Sequence, residues 1–297
     1  LQNDEMSMYW KQNGRWWLYT APIETQALLV EAFDEIANDK LAVEEMMIWL
    51  LKQKQVQDWR TTVATADACY ALLRRGADLI SSDKLVEVTL GGKNVTPVQG
   101  DGTKVEAGTG YYKLSYNRTE VKPEMGRVTV KKSDEGIAWV CVYWQYFEQL
   151  DKITPAKTPL QIEKKLYKQV NTDQGLVLEP ITEASPLKVG DILKTRVEIR
   201  VDRDMEYVHM KDMRGAGFDL INQLSRYNWQ GRLGYYEAPK DASVNFFIYW
   251  LPKGVHVFEY ALRVSHAGVF SNGISTIQCM YAPEFAAHTQ GFTVTVK

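Results

Sequence analysis

Nowhere does the sequence stay apolar for the roughly 20 positions that a membrane-spanning helix requires, and no charged-then-apolar signal segment opens it. An excess of either charge is also missing: 35 Lys and Arg face 37 Asp and Glu, a formal net charge of −2. Nucleic acid is recognised through a basic face, which this balance does not supply. Histidine is scarce, with 4 in 297 residues and none before His209. Cysteine is scarcer, at 3, an odd number that leaves at least one thiol free. No Cys or His cluster has zinc spacing. What is present, 45% hydrophobic and 24% charged residues, is globular material long enough for two or three domains.

The last third reads as strand after strand. From Asp191 on, alternating apolar runs (Ile192 to Val201, Val244 to Trp250, Val255 to Val264, Phe292 to Val296) are broken by Gly, Pro and Asn. That pattern predicts an antiparallel β-sandwich rather than βαβ units. Leu160 to Val170 opens this domain after a linker, Asp151 to Pro159. Further upstream, Leu85 to Leu90 alternates as a strand into a turn at Gly91 to Asn94. A Gly-rich loop, Gly100 to Gly110, then leads into Tyr111 to Tyr116; it lacks phosphate-binding spacing and runs strand to strand, with no helix start for an anion. Ile137 to Phe147 is apolar or aromatic on both alternating sets, which predicts a strand covered on both faces.

The first part is helical. Leu28, Leu29, Ala32, Phe33 and Ile36 recur at helical spacing after Thr20 and Pro22, and Asn38-Asp39 punctuates before Val43, Met46, Met47, Leu50 and Leu51. In a third run Thr62, Ala66, Cys69, Tyr70 and Leu73 share a face, Ala64, Ala68 and Ala71 keep the neighbouring face thin, and Gly76 is the stop. The composition shift at Ser81 to Lys84 marks a boundary.

Candidate chemistry is sparse. Glu24, Glu31, Glu44 and Glu45 read as solvated helix faces rather than a carboxylate pair, and Trp16, Trp17, Trp49 and Trp59 as packing rather than a sugar platform. Asp202, Asp204, His209 and Asp212 form a His-carboxylate grouping, but strand alternation does not aim all of them at one face. His209, His256, His266 and His288 read as hydrogen-bonded strand residues. The thiols read as buried and inert, Cys69 on a packed helix and Cys141 in a strand. Asn94-Val95-Thr96 and Asn117-Arg118-Thr119 match a glycosylation sequon that a bacterial origin would make moot.

Leu251 to Gly254, Phe258 to Ser271 and Met280 to Phe285, with Tyr207 to Phe218 and its glycines Gly215 and Gly217 ahead of them, resemble the C-terminal macroglobulin domain of bacterial alpha-2-macroglobulin-like proteins. Thr65 to Leu72 resembles the closing helices of that family's α/α toroid. The family's thioester joins a Cys to a Gln three residues later; here Cys69, Cys141 and Cys279 are followed at that spacing by Leu72, Trp144 and Ala282, and Gln145 stands one position too far. The resemblance implies a C-terminal fragment, in keeping with a chain that starts at Leu1. Its fold is expected to be multidomain, α plus all-β: residues 1–82 from the end of a toroid, 83–154 a CUB-like β-domain, and 155–297 a macroglobulin-type antiparallel β-sandwich.

The implied function is that of the non-catalytic end of an endopeptidase inhibitor, a protease trap of the bacterial envelope, periplasmic or otherwise extracytoplasmic. Target proteases would be met by the full-length protein, and this part would pack against upstream macroglobulin domains. No catalytic, cofactor-binding or metal residue is assigned, no cofactor is expected, and neither a nucleic-acid partner nor a membrane span is implied. Two other classes share the layout: a toroid polysaccharide lyase or glycosidase fragment, suited by 9 Trp and 16 Tyr, and an adhesin-like spacer. The lyase needs a near-complete toroid, whereas the first 80 residues hold three or four helices of about 12 residues.

Overall fold

Three helices occupy the stretches of helical spacing: α1 (Pro22–Ala32), α2 (Lys40–Val56) and α3 (Thr62–Arg75), preceded by the short strands β1 (Gln2–Asp4) and β2 (Ser7–Tyr9). The structure is a computed structural model and describes residues 1–12, 20–75, 84–98, 102–134, 138, 140–182, 186–231 and 233–297. Trp16, Trp17, Gly76, Ser81 to Asp83, Gly100, Ile137 and Trp139 therefore lie outside the described residues. The chain divides into two compact units: Leu1–Gln2, Met8–Ile48 and Thr61–Trp144 in one, Asn3–Ser7, Trp49–Arg60 and Gln145–Lys297 in the other.

In the first unit, Pro22 stands in the opening turn of α1, where its missing N–H deprives no helical carbonyl. The helix runs into one π turn and stops at Asn38, whose φ of 54° is left-handed. Asp39 then caps α2, its Oδ1 accepting from the N–H of Ala42 at 3.1 Å. The buried stripe of α1 is rotated from the one its apolar spacing indicates, leaving Leu29 and Phe33 partly buried at the edge of the core. Ile23, Gln26, Ala27 and Val30 face inward, while Leu28 and Ile36 are exposed. Gln26 accounts for the rotation: its amide donates to the carbonyls of Met8 (2.9 Å) and Met46 (3.3 Å) and accepts from the N–H of Trp10 (3.2 Å). A polar side chain so satisfied can be buried at little cost.

Helix α3 shows the same correction. Ala64, Ala68 and Ala71 are its buried residues, and Cys69, Tyr70 and Leu73 are exposed. Helices α1 and α3 pack on each other, and small side chains allow the close approach that Tyr70 or Leu73 would prevent. Trp49 and Trp59 are buried, in keeping with packing. The small sheet of this unit has the order β4-β3-β5, from β3 (Glu87–Leu90), β4 (Lys93–Asn94) and β5 (Val128–Lys131). Gly91 and Gly92, with φ of 57° and 83°, form its first hairpin turn. Residues 111–117 form no strand; Tyr112 is tethered by its hydroxyl, which donates to the Val86 carbonyl at 2.7 Å.

The doubly covered strand expected over Ile137 to Phe147 is absent among the described residues. No ladder includes residues 140–149, and Cys141, Val142, Trp144, Tyr146 and Phe147 are exposed. A strand apolar on both sides needs neighbours on both edges and cover on both faces. The strands of the small sheet, of 4, 2 and 4 residues, pair only with one another.

The second unit is a sandwich of two antiparallel sheets. The strands are β6 (Leu160–Thr172), β7 (Gly175–Pro180), β8 (Ile192–Val201), β9 (Met205–Met213), β10 (Phe218–Leu220), β11 (Arg226–Gln230), β12 (Leu233–Pro239), β13 (Ser243–Leu251), β14 (Gly254–Val264), β15 (Gly268–Ser271), β16 (Ser275–Cys279), β17 (Ala286–His288) and β18 (Thr293–Val296). One sheet has the order β10-β14-β8-β6-β7, the other β11-β12-β13-β9-β16-β17, and β15 pairs with β18. Inward residues alternate as the sequence indicates: Leu193, Val197 and Ile199 of β8 and Phe258 and Leu262 of β14 meet Val208 and Met210 of β9 and Phe246 and Ile248 of β13 in one core. Each such side chain contributes about 1.5 to 3 kcal/mol on burial. Val56, at the end of α2, joins this core, and Gln57 and Asp58 donate to the Asp204 carbonyl (2.9 Å) and to Glu206 Oε2 (3.2 Å).

Glycine is required at Gly217, where a Cβ would lie 2.5 Å from the Phe270 ring.

Thiol reactivity follows from this arrangement and reverses part of the sequence expectation. All three cysteines are free, but Cys69 and Cys141 are exposed and only Cys279 is buried, where burial pushes its thiol pKa up. A thiol reagent applied to the native protein is expected to label Cys69 and Cys141 quickly and Cys279 only after denaturation. Slow labelling of Cys141 would show that residues 140–149 are covered.

Candidate functional site

Inward positions of β6 run Leu160, Ile162, Lys164, and the third breaks the apolar pattern. Its ammonium stands 2.7 Å from Asp212 Oδ1 of β9, the two side chains being 1% and 0% exposed. Lys164 also donates to the carbonyls of Met213 (2.5 Å) and Asn272 (3.5 Å). Asp212 receives two more donors: Ser275 Oγ, its ladder neighbour on β16, at 2.7 Å to Oδ1, and the Tyr260 hydroxyl of β14 to Oδ2. Lys164 and Tyr260 belong to the five-stranded sheet, Asp212 and Ser275 to the six-stranded one. One carboxylate thus ties the two sheets together through the middle of the core. Burial first, then the Asp212 charge, hold the Tyr260 hydroxyl well above its usual pKa.

The outer face of the six-stranded sheet is aromatic. Tyr227, Tyr236, Phe247, His209 and Gln278 occupy one cross-strand row over five strands. Tyr227 and Tyr236 have ring centroids 4.8 Å apart, and His209 stacks on Phe247 at 4.8 Å and 18°. Beside that row Tyr207 sits edge-on between Tyr249 and Tyr281, 5.1 Å from each. Its backbone has a φ of 54°, unusual for a bulky residue and held by the ladder on either side. Trp229 lies over Gly234, where a Cβ would come within 2.7 Å of the indole. Trp229 and Tyr281 are 78% and 79% exposed. Large exposed apolar patches commonly mark contact surfaces.

The residues weighed from sequence are dispersed. Asp202 holds the Arg203 guanidinium at 2.9 and 3.0 Å, Asp204 accepts from the N–H of Lys253 at 2.7 Å, His209 Nε2 lies 3.0 Å from Asn245 Oδ1, and Asp212 points inward. Among the described residues no group of three or more His, Cys, Asp or Glu could hold a metal ion. His256 and His288 are strand residues with carbonyls at 2.7 and 3.2 Å, whereas His266 lies beyond the end of β14, 3.0 Å from Ser265 Oγ. Glu24 accepts from Thr61 at 3.2 Å. Sequence reasoning missed Lys164, Tyr260 and Ser275. The available signal was a lysine at an inward position of an otherwise apolar alternation.

The raised Tyr260 pKa fixes the sign of a pH effect. An acid whose folded pKa exceeds its unfolded value, here 10.0, gives stability that is complete below that value and lost as pH rises through the folded pKa. Urea unfolding from pH 9 upward is expected to show stability falling above about pH 10. Tyr260→Phe should flatten that fall and lower stability at neutral pH by about 1 to 2 kcal/mol, the cost of one lost donor to a buried carboxylate. An unchanged slope in the variant would show that another group titrates.

The profile of the bacterial alpha-2-macroglobulin MG10 domain matches residues 160–284, most of the sandwich. An alpha-2-macroglobulin homolog of Nostoc sp. is 22% identical over 298 aligned residues, covering 95% of this chain and 15% of that protein. Among solved structures, trypsin-activated alpha-2-macroglobulin from Escherichia coli is similar at 14% identity and a TM-score of 0.43, over 94% of this chain and 19% of its own. Salmonella alpha-2-macroglobulin reacted with methylamine is similar at 14% identity and a TM-score of 0.39, over 96% and 18%. The chain therefore spans less than a fifth of the length of these relatives. Residues 160–284 thus match the bacterial alpha-2-macroglobulin MG10 domain, and the chain that carries them is similar to an alpha-2-macroglobulin homolog along most of its length.

Proposed function

We propose that this chain is the non-catalytic C-terminal portion of an alpha-2-macroglobulin-like endopeptidase inhibitor of the bacterial cell envelope, acting outside the cytoplasm. The observation that carries the reading is the MG10 match over 160–284, laid on a sandwich whose core and strand order are described above. In this reading residues 1–82 close an α/α toroid, 83–154 form a CUB-like β-domain and 155–297 are the terminal macroglobulin domain.

Trapping a protease is mechanical, so the chain's residues need perform no bond chemistry on the target. Their task is to keep one domain rigid while others move. The buried Asp212 contacts fix the two sheets against each other. The aromatic face around Tyr207, Tyr249 and Tyr281 supplies the surface on which upstream macroglobulin domains pack.

The test uses the full-length protein and this chain side by side, each incubated with a general protease. A trap leaves cleavage of a small peptide intact and protects a large protein stoichiometrically. The full-length protein is expected to show that split and the isolated chain neither part of it. Tyr249→Ala with Tyr281→Ala in the full-length protein should lower the stoichiometry of protection while costing the isolated chain no more than about 1 to 3 kcal/mol of unfolding free energy, the worth of the two edge-on ring pairs to Tyr207. Protection by the isolated chain, or none by the full-length protein, would contradict the proposal.

A further inference from the structure

Lys164 is a buried amine for which the proposed role has no chemical use. The geometry points to a covalent cross-link at this place: an amide between Lys164 Nζ and the side-chain carbonyl carbon of Asp212, formed within the folded sandwich. Nζ and Oδ1 are already 2.7 Å apart and nearly sealed from solvent, at 1% and 0% exposure. Held in one geometry, an amine and a carboxyl react as an intramolecular pair rather than as two solutes.

The step balances without any further reagent. Nζ bonds to Cγ and the Cγ–Oδ1 bond breaks. Two of the three ammonium protons leave with Oδ1 as water, and the amide nitrogen keeps the third. Nothing is oxidised or reduced. The two hydroxyls are disposed for this: Tyr260 donates to Oδ2, the oxygen that carries charge in the tetrahedral intermediate, and Ser275 donates to Oδ1, the oxygen that leaves. Burial keeps the Tyr260 hydroxyl protonated and so able to donate.

The surroundings favour the product. Two buried charges carry a desolvation penalty that their mutual attraction offsets only in part, and the amide is neutral. Its N–H keeps an acceptor in the Met213 carbonyl and its oxygen keeps the Tyr260 donor, so of the buried partners only the Ser275 hydroxyl loses its acceptor, the oxygen that leaves. Water that could reverse the reaction is excluded by the core residues around it. The link would join β6 to β9, one strand from each sheet, by a bond that mechanical load does not separate.

The intact mass of the full 297-residue chain, folded and then denatured, tests this directly. The expected mass is that of the sequence less one water, and a protease digest should yield a branched peptide joining the Lys164 and Asp212 segments. Lys164→Arg and Asp212→Ala should both carry the full sequence mass of their variants. Mass is read on denatured protein, so a variant that folds poorly still reports. Tyr260→Phe should lower the linked fraction several-fold at a given time after folding, a readout that loss of packing alone would not give. The parent chain at full sequence mass would overturn the proposal. So would a water loss that persists in Lys164→Arg or maps to a cyclic imide at Asp101-Gly102.

Discussion

Everything distinctive in the second unit turns on the Asp212 carboxylate. It sits in the core with Lys164, Tyr260 and Ser275 as donors, and those four residues come from four strands in two sheets. Apolar packing alone fixes how far apart two sheets lie but is tolerant of sliding, because one methyl contact resembles the next. Until Lys164 is linked to it, the Asp212 carboxylate is not tolerant, since a shift that parts it from Lys164 leaves an uncompensated charge at a cost of about 3 to 5 kcal/mol. The register of β9 against β6 and β14 is therefore specified by charge, on top of a core that supplies the bulk of the stability.

Rigidity inside and adhesion outside divide between the two faces of the same sheet. Strand β9 turns Val208, Met210 and Asp212 inward and Tyr207, His209 and Lys211 outward. The proposed role, a domain that holds its shape while its neighbours rearrange, would need both properties, and alternation lets one strand supply both. The left-handed backbone at Tyr207 belongs to the outward task, since it sets that ring edge-on between Tyr249 and Tyr281.

Strands with clean alternation, such as Ile192 to Val201, were legible because each inward position is apolar and each turn is marked by Gly, Pro or Asn. The three helices were legible in extent, but only α2, which buries Val43, Met46, Met47 and Leu50 as its spacing indicates, was legible in orientation. Gln26 is buried on the strength of three hydrogen bonds that no periodicity reports, and α3 buries its alanines where larger side chains suggested the packed face. The stretch through Phe147 shows the opposite limit. Composition states that a strand wants cover on two faces, but not whether the chain supplies it. The core cluster was hidden for a related reason. Hydropathy marks inward positions by apolarity and so passes over Lys164 and Ser275, and Asp212 drew notice only within a His-carboxylate grouping. Their meaning lies in contacts 48 to 63 positions apart in sequence.

The central claim is that this one buried contact couples the two sheets. Residue-resolved amide hydrogen exchange on the parent and on Asp212→Ala measures that coupling. The account predicts that β6, β8, β9 and β14 share one opening free energy in the parent and that the substitution lowers it in all four strands together, by about 3 kcal/mol or more. Loss of protection confined to β9, with β6 and β14 unchanged, would contradict it.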